Sequence, residues 1–312
     1  MNSRDRVAVC SRSFSRNLVL RDELQSGYQK VTFNDAGQSL SGTDLAAYLE
    51  GHDKAIIGLE RIDEMLLDAV PELRVISKYG VGTDMLNLEA MARRGVRLGW
   101  TAGVNSRAVA ELVISLSIAL LRDLPDLSRA IERGEWRQAT GRELSGRTVG
   151  IVGWGSIGRD LTGLLAAFGC RVLTTDVRDV DAECRLAGVE SLALEALLCE
   201  ADVVTLHVPL TAETEGLIGE AQLGLLGPDS VLVNASRGGV VDEHALHDAL
   251  VSGRLRAAAM DVFRSEPPFG SPLLGLSNFM ATPHIGGSTE EAYLAMGRAA
   301  IRGLDDNVVP GF

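Results

Sequence analysis

The sequence is short of several things, and each shortage closes off a class of protein. Aromatic residues make up 4% of its 312 positions, with five histidines and four cysteines. The cysteines (Cys10, Cys170, Cys184, Cys199) form no C-x-x-C pair and have no histidine companions at ligand spacing, so neither a disulfide framework nor a bound metal is expected. They read as apolar thiols of a reducing compartment. Positive charge is scarce: 30 Lys and Arg against 42 Asp and Glu leave a net charge of −12. Such a chain suits neither the phosphates of a nucleic acid nor an anionic membrane, although a local cation in a cleft can still receive a small anion. The longest apolar run, Ala108 to Leu121, is interrupted by Glu111 and falls short of a membrane span. The opening MNSRDRVAVCSRSF lacks the apolar stretch of a signal peptide, so a cytoplasmic location is expected. Internal repeats and low-complexity segments are also missing.

What is abundant is glycine, 34 residues in a chain that is 46% hydrophobic. Tight turns between strands and helices use glycine, and the length suits two domains. Short β-branched runs alternate with helical patterns throughout, which is the pattern of βαβ units and parallel sheets. In the first hundred residues RVAVC, YQKVTF (28–33), KAII (54–57), RVISK (74–78) and VRLG (96–99) read as strands, and Ser15–Gln25 as the first helix. No glycine-rich loop follows the first of these strands, so this layer is not expected to hold a dinucleotide. A long helix over Arg107–Arg122, and a helical piece ending near Gly134, lead into a second series. Its strands are RTVGIV (147–152), RVLTT (171–175), DVVTLH (202–207), SVLVN (230–234), AAAMDV (257–262) and NFMAT (278–282). The last helix, Thr289–Leu304, is too short to be a domain and should pack back on the N-terminal layer. The expected fold class is therefore α/β, with two Rossmann-like or flavodoxin-like domains. Residues 1–102 with 285–312 form the smaller, substrate domain, and residues 103–284 form a doubly wound parallel sheet that binds the dinucleotide.

Gly153-Trp154-Gly155-Ser156-Ile157-Gly158 is a G-x-G-x-x-G between the apolar strand TVGIV and a helical pattern, the setting that gives this motif meaning. The first glycine permits the turn, the second lets a pyrophosphate approach the backbone, and the third lets helix and strand pack closely. Asp176 ends the next strand, where an acid accepts hydrogen bonds from ribose hydroxyls and repels a 2′-phosphate, favouring NAD. Arg178, two residues on, keeps NADP open. Three further residues sit in loops after strands, where α/β sheets bind ligands: Arg237 after SVLVN, Glu266 after AAAMDV and His284 after NFMAT. A cation, a carboxylate and an imidazole together can clamp a 2-oxo acid, move its proton and hold the imidazole ready. His52, His207, His244 and His247 are weaker candidates for that proton; His207 ends a strand but has no obvious carboxylate partner.

Seven segments together resemble the D-isomer-specific 2-hydroxyacid dehydrogenases, most closely the phosphoglycerate dehydrogenase branch: KYGVGTDMLNLEA (78–90), NSRAVAEL (105–112), VGIVGWGSIG (149–158), LHVPLTAETEGLI (206–218), VNASRGGVVDEHAL (233–246), AAAMDVFRSEP (257–267) and TPHIGG (282–287). The resemblance implies NAD as cofactor, Arg237 as the group that binds and polarises the 2-oxo acid, His284 as general acid/base and Glu266 as its partner. It implies substrate contacts at Tyr79, Gly80, Val81, Gly82 and Asn105. It implies cofactor contacts at Gly153, Gly155, Ser156, Ile157, Gly158, Asp176, His207, Val208, Pro209, Thr214, Ala235, Ser236, Asp261, Gly286 and Gly287. A homodimer built on the segment Arg107–Gly146 is also implied. Met85-Leu86-Asn87 departs from the family's usual Asn-x-Asp, and no C-terminal regulatory extension is read. Glyoxylate/hydroxypyruvate reductases and phosphonate-type hydroxy acid dehydrogenases are neighbouring readings, and a nucleotide-sensing corepressor-like protein is a more distant one. A phosphorylated substrate would call for extra cations, with Arg61, Lys78 and Arg137 the candidates.

Overall fold

The computed structural model describes residues 3–311. The chain divides into two compact units, one running through Asn105 and resuming at Ser288, the other spanning Ser106–Gly287. No helix among the described residues is long and apolar enough to cross a membrane.

The first unit is a five-stranded sheet of β1 (Ser3–Val9), β2 (Tyr28–Phe33), β3 (Lys54–Ile57), β4 (Val75–Lys78) and β5 (Arg97–Gly99), in the order β2-β1-β3-β4-β5. Every pairing is parallel. β3 and β4 are buried along their whole length, because helices cover both faces and leave no solvated side for a polar alternation. The sequence suggests one helix over Ser15–Gln25; the structure has two, Arg12–Arg16 and Leu18–Gly27. Asn17 separates them in an extended conformation, its side chain accepting the Leu20 N–H at 3.1 Å. A short polar side chain that competes for backbone hydrogen bonds makes a better cap than a helix interior. The last helix, Glu290–Gly303, belongs to this unit. It packs so tightly that a Cβ on Gly297 would lie 2.2 Å from Leu20 Cδ1, and the Ser77 hydroxyl donates to the Ala300 carbonyl at 2.6 Å.

The second unit is a seven-stranded parallel sheet: β6 (Thr148–Val152), β7 (Arg171–Thr175), β8 (Glu190–Ser191), β9 (Val203–Leu206), β10 (Val231–Asn234), β11 (Ala257–Met260) and β12 (Phe279–Ala281). The order is β12-β11-β10-β9-β6-β7-β8. β8 has no counterpart in the sequence reading: its two residues pair only with β7, at the sheet edge. The helix Ser106–Leu121 is apolar on most of its circumference because it is buried in this unit's core, with Val113, Leu116 and Leu120 nearly inaccessible. Strand order reverses between β6 and β9, and the loops after those two strands frame the crevice where a doubly wound sheet takes a ligand.

Candidate active site

The turn after β6 is shaped by its glycines. Gly153 has φ +104°, and a Cβ there would lie 2.6 Å from the His207 carbonyl oxygen. A Cβ on Gly158 would meet the Gly153 carbonyl oxygen at 2.6 Å, so helix and turn touch backbone to backbone. Gly155 differs: nothing lies within 4 Å of a Cβ there, which leaves open the approach that a pyrophosphate requires. Gly155 is also the N-cap of the helix Ser156–Ala166, and no side chain caps that end. The first-turn N–H groups of Ser156, Ile157 and Gly158 thus have neither an intrahelical nor a side-chain partner, which suits an anion.

Asp176 follows β7 and faces this turn. Its carboxylate accepts the Trp154 N–H at 2.8 Å and the Arg178 guanidinium at 2.9 Å. The Arg178 guanidinium, first, and the backbone donors hold the Asp176 carboxyl down to about 2, despite partial burial, so it is an anion at any working pH. After β9, the His207 ring puts Nε2 3.0 Å from the Thr205 hydroxyl, while Nδ1 is buried with no hydrogen-bond partner among the described residues. Burial alone pushes this imidazole down to about 3. Val208 packs against Gly153, and the Thr214 hydroxyl donates to the Pro209 carbonyl at 2.6 Å, so this stretch of the loop holds itself together. Open glycine backbone, uncapped helix and strand-end acid together fit the diphosphate and ribose of a dinucleotide.

Arg237, Glu266 and His284 extend from the ends of three neighbouring strands, β10, β11 and β12. His284 Nδ1 lies 2.9 Å from Glu266 Oε2. The other oxygen, Oε1, accepts the Phe263 N–H at 3.0 Å, which fixes the carboxylate's orientation. His284 adopts φ +55°, uncommon for a residue with a Cβ, and Asp261 holds it there. The buried Asp261 carboxylate accepts the Thr282 hydroxyl at 2.6 Å and the N–H groups of Ile285 and Gly286 at 2.8 and 2.7 Å. The Asp261 carbonyl accepts the His284 N–H at 2.9 Å. Asp261, read from the sequence as a cofactor contact, therefore spends both carboxylate oxygens on positioning the histidine loop. Asn234, at the end of the adjacent strand, has a similar role: Oδ1 accepts from the Ser236 N–H and hydroxyl, and Nδ2 donates to the Arg237 carbonyl at 3.0 Å. Gly238 joins the two loops, since a Cβ there would lie 1.9 Å from the Phe263 carbonyl carbon. Neither Asn234 nor Gly238 stands out in the sequence, beyond a polar residue ending an apolar strand and a Gly-Gly pair.

In the first unit, Tyr79 to Gly82 follow β4, and Gly80 has φ +128°. The Val81 carbonyl accepts the Trp100 indole N–H at 2.9 Å, and Asn105 Oδ1 is buried without a hydrogen-bond partner among the described residues. Of the cations considered for a phosphate, Lys78 is 4% exposed and donates to the Gly58 carbonyl at 2.6 Å. Arg137 pairs with Asp126, and Arg61 is exposed, 3.9 Å from Asp63. On the helix Glu243–Val251, His244, His247 and Asp248 share one face, as helical spacing dictates, and could reach one ion.

A switch-point crevice with these loops marks a dinucleotide-binding α/β domain. Comparison with known proteins narrows the class. Residues 114–286 match the NAD binding domain of the D-isomer specific 2-hydroxyacid dehydrogenases, and the chain belongs to that family. It is 38% identical over 260 residues to D-3-phosphoglycerate dehydrogenase of Methanocaldococcus jannaschii, a match covering 80% of this chain and 50% of that one. It is 37% identical over 255 residues to glyoxylate reductase of Thermococcus litoralis, covering 78% and 77%. A crystal structure from a Polaromonas species, assigned to the D-isomer specific 2-hydroxyacid dehydrogenases, superposes with a TM-score of 0.87 at 26% identity, covering 98% of this chain and all of that one. The chain spans about half the length of the phosphoglycerate dehydrogenases it matches.

Proposed function

We propose that the chain is an NAD-dependent oxidoreductase that interconverts a small D-2-hydroxy acid and its 2-oxo acid. The observation that carries this is the Glu266–His284 pair at 2.9 Å, set beside a dinucleotide crevice in the same unit. NAD, when bound, supplies or accepts the hydride. With Glu266 accepting from Nδ1–H, Nε2 is the nitrogen left for the substrate. In reduction, the carbonyl carbon gains the hydride and the carbonyl oxygen gains the proton from His284 Nε2. Oxidation runs the same transfers backwards. Arg237 binds the carboxylate and draws electron density toward the carbonyl oxygen, and Tyr79, Gly80, Val81, Gly82 and Asn105 are further substrate contacts. Residues up to 102 and from 285 are assigned to substrate, and those between to the cofactor.

His284→Ala and Arg237→Ala should each lose nearly all turnover of 2-oxo acids while still binding NADH. Near-normal turnover in either variant would overturn the assignment. The substrate range is read as phosphoglycerate dehydrogenase-like, with glyoxylate/hydroxypyruvate or a phosphonate-type hydroxy acid as the alternative; D-3-phosphoglycerate dehydrogenases and glyoxylate reductases are both among the relatives. We also assign the chain to a homodimer in the cytoplasm. Leu124, Ile131 and Trp136, the last 87% exposed, present apolar surface within the segment implicated in pairing, and the four cysteines are unpaired. Sedimentation would read the dimer directly.

A further inference from the structure

Glu243 opens the helix Glu243–Val251 in the second unit, and two physical roles compete for it. A carboxylate in a first turn is favoured by the helix dipole, and that account needs only its charge. Capping is already supplied by Asp242, whose carboxylate accepts the His244 and Ala245 N–H groups at 2.9 and 3.1 Å. The Glu243 side chain instead leaves its helix: Oε1 accepts the Arg264 N–H at 2.8 Å, 21 residues along the chain. That N–H belongs to the peptide joining Phe263 to Arg264. Gly238 packs against the same peptide, since a Cβ there would lie 2.4 Å from the Arg264 nitrogen. One residue earlier, the Phe263 N–H donates to Glu266 Oε1 at 3.0 Å. The amides on either side of the Phe263 α-carbon are thus engaged by two carboxylates, Glu266 on one and Glu243 on the other. Phe263 itself is buried, its ring edge-on to Phe279 with centroids 6.4 Å apart. The Arg264 guanidinium reaches Glu215 at 2.8 Å, but these side chains are 60% and 54% exposed, so that pair is a weak hold.

Resting on the reading above, we propose that Glu243 is a positioning residue for Glu266. By fixing the Phe263–Arg264 peptide it holds the backbone from which the Phe263 N–H reaches Glu266 Oε1. The orientation of that carboxylate in turn sets Oε2 at 2.9 Å from His284 Nδ1. The role requires an acceptor with the reach of a glutamate side chain and no charge. Its loss acts on the transfer step, because a displacement of about 1 Å in a catalytic group can slow turnover by up to roughly a hundredfold.

Two conservative variants separate reach from charge. Glu243→Gln keeps an acceptor oxygen at the same reach and loses the charge. Glu243→Asp keeps the charge but is shorter by one carbon–carbon bond, about 1.5 Å, which takes it out of hydrogen-bond range of the Arg264 N–H. The test is kcat and KM with NADH for glyoxylate, hydroxypyruvate and phosphohydroxypyruvate, using whichever the wild type turns over fastest. Glu243→Asp should lower kcat about tenfold with the KM for NADH within about twofold of wild type. Glu243→Gln should stay within about threefold on both, and so should Arg264→Ala, which keeps the backbone N–H and loses only the weak pair with Glu215. The helix-dipole account expects the opposite order, with Gln the poorer and its loss falling on the melting temperature. Wild-type kcat in Glu243→Asp, or a loss in Glu243→Gln or Arg264→Ala as large as in Glu243→Asp, overturns the positioning role alone. Failure of the wild type to reduce any of the three acids overturns the underlying reading and this one with it. If Glu243→Asp does not fold, Glu243→Ser, which is also too short to reach Arg264, is held to the same criteria.

Discussion

The His207 imidazole makes the second unit sensitive to acid in a way that can be calculated. Among the described residues its Nδ1 is buried without a hydrogen-bond partner and its Nε2 meets the Thr205 hydroxyl, and burial pushes it down to about 3. In the unfolded chain the same ring takes its proton near 6.5. Between those values the unfolded state binds the extra proton, so stability rises with pH across that window, is complete above it, and is lost as pH falls through it. Each pH unit is worth at most about 1.36 kcal/mol, so acidifying from pH 7 to 4.5 should remove up to roughly 2.5 kcal/mol through this ring alone. The ring is not wholly enclosed, and water reaching its edge lowers that figure, so a loss of at least about 1 kcal/mol is the working expectation. Other groups also titrate in this range, which makes the informative quantity a difference. Urea unfolding of wild type and His207→Gln should be followed at pH 7, 6, 5 and 4.5. Gln keeps a polar atom within reach of Thr205 and carries no titrating charge. The two stability curves should converge as pH falls, with the wild type having the steeper slope. Parallel curves would refute the claim that this histidine is held neutral by burial.

Two other perturbations probe the cofactor turn and the loop junction. Asp176→Ala removes the anion that faces the Trp154 N–H and releases Arg178 from its pair; the preference for NAD over NADP, measured as a ratio of kcat/KM values, should narrow by about tenfold or more. An unchanged ratio would remove Asp176 from the cofactor site. Gly238→Ala places a methyl 1.9 Å from the Phe263 carbonyl carbon, a contact that only backbone movement can relieve. It should cost about 2–4 kcal/mol of stability and lower kcat, because it pushes apart the loops carrying Arg237 and Glu266; a wild-type melting curve would show that the junction is not tight.

How far the molecule could be read in advance depends on whether each feature is set locally or by chain brought from elsewhere. The helix Ser106–Leu121 falls within a residue of its expected bounds, since an apolar run ending at Asp123-Leu124-Pro125 carries its own stop signal. The glycine loop is legible for the same reason: strand, three glycines and helix are contiguous, and steric clashes at Gly153 and Gly158 explain two of the three. β8 is not legible, because two residues become a strand only when β7 lies alongside, and a helical periodicity spanning Asn17 hides the cap that splits it. The same division runs through the site. Arg237, Glu266 and His284 can be placed after their strands from pattern alone. That the Glu266 carboxylate meets Nδ1, and that Asp261 turns its oxygens toward the histidine loop, depends on three parallel strands lying side by side. Lys78 shows the limit from the other direction. In the sequence it is a candidate cation for a phosphate; in the fold it is buried and its ammonium donates to the Gly58 carbonyl. Whether a charged side chain at a strand end stays open to solvent is thus a property of the folded strand ends, which is why the family can be read from the sequence while the surroundings of these side chains depend on the fold.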